Sequence, residues 1–178
     1  MNEPARQTVG MTGKPFSVLL SFLNGAGSVL IFALVVLINL DIVARFVFNA
    51  PIGGVTELVE LSIVAIVFLQ IADAIRAGRL TRSDGLYSRL CIRHPRLGHG
   101  VGAVFDIAGA MFFVTIVIGG IPRLVDAWQR GYFSGITGVF VVPVWPVRLV
   151  VVIGALSAVV VFLLLAFRNL KGVLGKQP

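Results

Sequence analysis

Residues 16–40 read FSVLLSFLNGAGSVLIFALVVLINL, from Phe16 to Leu40, with no charged side chain among them. A helix needs about 20 apolar residues to cross the hydrocarbon core of a bilayer, and this run exceeds that. It is longer than the apolar core of a secretory signal, and no small-residue cleavage site follows it. It reads as a first membrane helix that continues through Asp41 and Arg45, a span of 16–45. Residues 1–15 before it are polar and read as a tail.

Working outward, Asn49, Pro51, Gly53 and Gly54 form a turn. A second span follows at 56–75, with Glu57 and Glu60 in its first turns and Asp73 near its end. Residues 76–99 are a basic connection holding Arg76, Arg79, Arg82, Arg89, Arg93 and Arg96 against Asp84. Leu86, Leu90 and Cys91 share helical spacing there, which suggests a short amphipathic helix on the membrane surface. The third span is expected at 101–122, closed by Pro122 and carrying one charge, Asp106. Residues 123–138 read as a mixed loop. Pro143 and Pro146 interrupt the apolar approach to a fourth span at 148–167, and residues 168–178 form a second tail. For residues 136–147 the sequence leaves open a loop, a short interfacial helix or the bent start of the fourth span.

Composition agrees with this pattern. Of 178 residues, 57% are hydrophobic and 13% charged, against about 45–50% and about 25% in soluble domains. Too few charges remain to coat a soluble surface, so composition argues against a soluble enzyme, a disordered chain or a free nucleic-acid binder. The fold expected is an all-α integral membrane protein with four transmembrane helices. The net charge of +7 is an orientation signal. Arg6, Lys14, the six loop arginines, Arg168, Lys171 and Lys176 fall on one side. Only Arg45, Arg123, Arg130 and Arg148 fall on the other. Basic residues favour the cytoplasm, so both termini are expected there.

Candidate chemistry is sparse. Asp41 and Arg45 are four apart and share a helix face; Glu57 and Glu60, three apart, share another. The short turn puts all four at similar depth, and Arg148 enters the same layer. A charge at the bilayer centre costs about 2.5–3.5 kcal/mol on insertion scales, so Arg45 is expected to pair with Glu57 or Glu60. The two glutamates read either as an ion or proton site or as a structural ion-pair layer. Asp73, Asp106, Arg76 and Arg79 make a second layer near the cytoplasmic side. Between the layers stand only Asn24, Gln70 and Thr115, too few for a proton relay. His94 and His99 lie in the basic loop, away from where haem ligands would sit. One cysteine and no ligand cluster leave no metal site in the pattern. No catalytic, cofactor-binding or metal residue is therefore assigned. Small residues four apart (Ser21 and Gly25, Gly98 and Gly102, Gly154 and Ala158) allow close helix packing. Trp128, Tyr132 and Trp145 read as interfacial anchors.

The segment Arg45-Phe46-Val47-Phe48-Asn49-Ala50-Pro51, with Glu57-Leu58 after it, resembles the small (Q-type, DctQ-like) membrane subunit of tripartite ATP-independent periplasmic (TRAP) transporters. Arg76-Ala77-Gly78, Asp84 and Pro143-Val144-Trp145 continue the pattern over about residues 16–168. The sequence departs from it at Gly54, where an aromatic residue is usual, at Gln70 for glycine, and at Leu80 for histidine. The resemblance implies a scaffold for a large multi-span permease subunit, in ion-coupled uptake of an organic acid delivered by a periplasmic binding protein. It implies a multi-pass protein of the bacterial inner membrane, surrounded by lipid. It implies no cofactor in this chain, sodium being handled by the large subunit. Arg45, Pro51, Glu57, Glu60, Asp84, Pro143, Trp145 and Arg148 become the structural and interface candidates, with Arg45→Ala expected to weaken assembly. Two other readings stay open. One is a self-sufficient homo-oligomeric carrier using Glu57 and Glu60; the other is the small subunit of a different tripartite uptake system.

Overall fold

The computed structural model describes residues 14–78, 95–136 and 140–173. Among these, four helices are long and apolar enough to cross a membrane. They are α1 (Lys14–Phe48), α2 (Val55–Arg76), α3 (Pro95–Arg130) and α4 (Trp145–Val173), with strands β1 (Phe133–Ile136) and β2 (Phe140–Pro143) between the last two helices. At 1.5 Å per residue α1 and α3 exceed about 50 Å, well beyond a core of about 30 Å, whereas α2 is near the minimum.

All four helices run further than the sequence suggests, α3 most of all. α3 was expected to stop at Pro122 but continues to Arg130 with that proline inside it. Proline removes one backbone donor, facing the carbonyl of Ile118. Membrane helices tolerate this where neighbours and local adjustments re-satisfy the freed group. The residues expected to form a loop from 123 onward are thus helical as far as Arg130. β1 and β2 then pair antiparallel as a hairpin, Phe133 opposite Pro143 and Ile136 opposite Phe140. This settles 140–147: strand, then helix, with Pro146 in the first turn of α4, where its missing N–H costs nothing. The surface helix expected within 76–99, together with Asp84, Cys91 and His94, lies outside the described residues.

The packing order follows from which faces are buried. α1 packs along α2, α2 along α4, and α4 along α3. On α1 the covered positions are Leu20, Leu23, Gly27, Leu30, Leu34, Leu37, Asp41 and Ala44. On α3 they are Ala103, Asp106, Ala110, Phe113, Val117, Gly120, Leu124 and Ala127. Both series step by alternating threes and fours, the spacing of a seam between nearly parallel or antiparallel helices. α4 is covered on a much wider face; its outward stripe is Leu149, Ile153, Leu156, Val160, Leu163, Phe167 and Leu170. Leu20, Ala72, Ile75, Ala110, Ala158, Val161 and Phe162 join all four helices in one core cluster.

Small residues set the closest approaches. A Cβ on Gly154 would overlap the backbone of Phe68, so α4 meets α2 main chain to side-chain-free surface. A Cβ on Gly27 would lie 2.8 Å from the Gln70 side chain. The bulky residue at 70 fits because its neighbour has no side chain. Gly25, by contrast, has nothing within 4 Å, so Gly25→Ala should be neutral or stabilise by about 0.5–1 kcal/mol, as Gly→Ala does within helices. Thermal unfolding in detergent measures this.

Candidate functional site

The structure sorts the polar side chains into two layers, one at each end of the antiparallel helices. At the end formed by the α1–α2 turn, Asp41 is the organising residue. It is buried in the α1 seam, and its carboxylate accepts the Ile52 N–H at 2.8 Å and an Arg45 guanidinium N–H at 2.9 Å. The turn itself is built from conformations that few residues adopt. Asn49 has φ 51° and the Ala50 N–H reaches back to the Ala44 carbonyl, which ends α1. Pro51 follows, where a chain leaving a helix commonly places one. Gly54 has φ 85° and caps α2, so the aromatic residue of the family pattern would be strained at this backbone conformation.

The expected pairing of Arg45 with Glu57 or Glu60 is not what forms. Arg45 pairs with Asp41, one turn earlier on its own helix, and keeps 65% of its side chain exposed. The reason is local: Asp41 already bridges α1 to the turn and lies at the i,i+4 distance that suits an ion pair. Among the described residues Glu57 and Glu60 form no ion pair. Glu57 is half-buried in the first turn of α2 and Glu60 is exposed one turn further in. Carboxylates there are favoured by the partial positive charge of the helix N-terminus.

Arg148 leaves the glutamates as well. Its guanidinium donates to the Arg123 carbonyl and lies 5.7 Å from the centre of the Tyr132 ring, tying α4 to α3. Trp145 meets Trp128 edge-to-face, with centroids 4.8 Å apart, a geometry that aromatic pairs prefer. The Val144 N–H donates to the Tyr132 carbonyl, closing the base of the hairpin beside Pro143. Pro143, Trp145 and Arg148 therefore belong to one α3–hairpin–α4 clasp, separate from the Asp41 clasp.

At the opposite end, Asp73 accepts an Arg76 guanidinium N–H at 2.7 Å, and Arg76 also reaches the Ser21 hydroxyl on α1 at 3.5 Å. The expected Asp73–Arg76 pairing is present. Asp106 is 0% exposed and accepts from the Asn169 amide at 2.7 Å. Asn169 carries no charge and stood in what the sequence presents as a tail, so it was missed. The available signal was the charge of Asp106 inside a span, which requires donors at its own depth. Ser21 was noted only as a small residue.

Between the layers four polar side chains are tied to their own helices. Ser28, Asn39, Thr115 and Ser157 each donate to the carbonyl four residues earlier. Asp41→Ala should free the Ile52 N–H and Arg45 together, lowering the melting temperature by several degrees. Asp41→Asn, which keeps an acceptor, should lower it less. Thermal unfolding of the purified protein in detergent reads both.

No curated protein matches the chain, and no solved structure does. The family model described as "Tripartite ATP-independent periplasmic transporters, DctQ component" matches residues 34–172. The match takes in the Asp41 clasp, the whole α3–hairpin–α4 clasp and all of α2. It is a transporter-component family rather than an enzyme family. With four membrane-crossing helices and this match over most of its length, the chain belongs to the DctQ family, the small membrane subunits of TRAP transporters.

Proposed function

We propose that this chain is a scaffold subunit that carries no substrate itself. It braces a large permease subunit in the inner membrane during ion-coupled uptake of an organic acid, which a periplasmic binding protein delivers. Sodium coupling and substrate recognition belong to the other components, and this chain needs no cofactor. The observation that carries the reading is the disposition of its polar groups. They form two end layers that fasten helices to one another, and between them Ser28, Asn39, Thr115 and Ser157 bond to their own backbones while Gln70 packs against Gly27 of α1. A carrier needs polar groups that continue through the bilayer and face a common path.

Co-expression tests this. The chain should purify in detergent as a stable complex with its large permease subunit, and deleting it should abolish uptake. A chain that purifies alone, with uptake intact after deletion, overturns the proposal.

The reading also places both termini in the cytoplasm and the α1–α2 turn in the periplasm, following the basic residues. In an Ala50→Cys, Cys91→Ser chain, a membrane-impermeant maleimide should label Cys at position 50 in intact spheroplasts. Labelling only after permeabilisation would reverse the orientation.

A further inference from the structure

α2 keeps one face that the other described residues leave open. Thr56, Glu60, Ile63 and Val67 follow at intervals of four, three and four, and so form one stripe along the helix. All four are exposed, Ile63 by 53% and Val67 by 51%, with Val64 on the flank. α1 and α4 pack on other sides of this helix. Among the described residues nothing pairs with Glu60, and Arg45, the cation expected for it, is held by Asp41.

The stripe therefore combines an apolar surface with one anion at its head that pairs with no cation among the described residues. Lipid tails suit Ile63 and Val67 but not a carboxylate. Anionic headgroups repel it. The complementary surface is an apolar helix that presents a cation at the depth of Glu60.

We propose that the Thr56–Val67 stripe of α2 is a docking face for a transmembrane helix of the large permease subunit, and that this helix brings an arginine or lysine to Glu60. The partner rests on the scaffold reading above; the location and the charge rest on this face of α2. The partner's apolar side chains lie between Ile63 and Val67, and its cation completes an ion pair that Glu60 does not make among the described residues. This helix packing fixes the depth of one subunit against the other, because the charged contact is available at a single level.

The test uses the full chain in cells that also produce the large subunit and the binding protein, with a photo-crosslinking amino acid at Val67. The expected product is an adduct with the mass of this chain plus the large subunit. Glu60→Lys should reduce its yield by about tenfold or more, since like charges at a contact cost several kcal/mol; Glu60→Gln should reduce it less. Thermal unfolding of both variants shows that each still folds. An adduct with a second copy of this chain, or with lipid alone, overturns the proposal. So does a full yield from Glu60→Lys. Co-purification of the unmodified chain, read in the same cells, keeps the two ideas apart. Complex without the Val67 adduct sinks the docking face alone, whereas no complex sinks the scaffold reading and this face with it.

Discussion

Replacing Gly154 by valine should unfasten α2 from α4 and abolish recovery of a folded protein. The Cβ of any larger residue at 154 meets the Phe68 carbonyl and its carbon, which belong to the main chain and cannot rotate aside. Overpacking costs about 1–3 kcal/mol where side chains can yield, and more where they cannot. α4 is the helix that joins α2 to α3, so separating it from α2 divides the molecule. The core cluster draws Ala72 and Ile75 from α2 and Ala158, Val161 and Phe162 from α4, and it would open at the same time. Gly25→Ala is the matched control, because the space there is empty. Size-exclusion profiles and thermal unfolding in detergent should separate the two variants clearly. A Gly154→Val protein with the parental melting temperature would show that the α2–α4 approach is not tight.

The second large effect is expected at Asn169. Its amide donates to Asp106, which is fully buried in the α3 seam. A hydrogen bond to a charged group contributes about 1.5–3 kcal/mol, and its loss leaves a buried carboxylate short of a donor. Asn169→Leu should therefore destabilise the α3–α4 pair by about that amount, although leucine suits a membrane helix better than asparagine. In the double variant Asn169→Leu, Asp106→Leu the two losses should be less than additive, since each substitution removes the same hydrogen bond. Additive losses in that cycle would mean that the two residues act independently.

These two sites show where sequence reasoning succeeds and where it stops. The spans were legible because the apolar runs are long and the breaks between them carry proline and glycine. Gly154 was legible as a small residue four before Ala158, yet nothing in the sequence said that the Phe68 backbone would be its neighbour. Spacing along one helix fixes a face, and the facing helix is a tertiary fact. The same limit explains Arg45. Its i−4 neighbour Asp41 was visible, but the choice between Asp41 and the α2 glutamates depends on how the turn folds back, and that is set by the Ile52 N–H on the Asp41 carboxylate. Pro122 misled for a different reason. Its effect in water is to end a helix, whereas α3 carries it inside, as membrane helices can. The β1–β2 pair had no readable alternation, being two four-residue strands, the second ending at Pro143.

Asn169 was hidden because an uncharged amide in a basic tail carries no signal by itself. Only the demand of Asp106 for a donor would have pointed to it. The seams of α1 and α3 were present in the sequence as threes and fours, with Asp41 and Asp106 each occupying a covered position. A polar residue at such a position fixes register at some cost in stability. In this protein Asp41 and Asp106 occupy such covered positions at opposite ends of the helices.

The most direct test of the scaffold account is transport by purified components in liposomes. Vesicles holding this chain alone, under a sodium gradient and with binding protein and organic acid supplied, should accumulate nothing. Vesicles holding this chain together with the large subunit should accumulate the acid. Uptake by this chain alone, lost on Glu57→Gln or Glu60→Gln, would contradict the account and make the two glutamates the coupling site of a self-sufficient carrier.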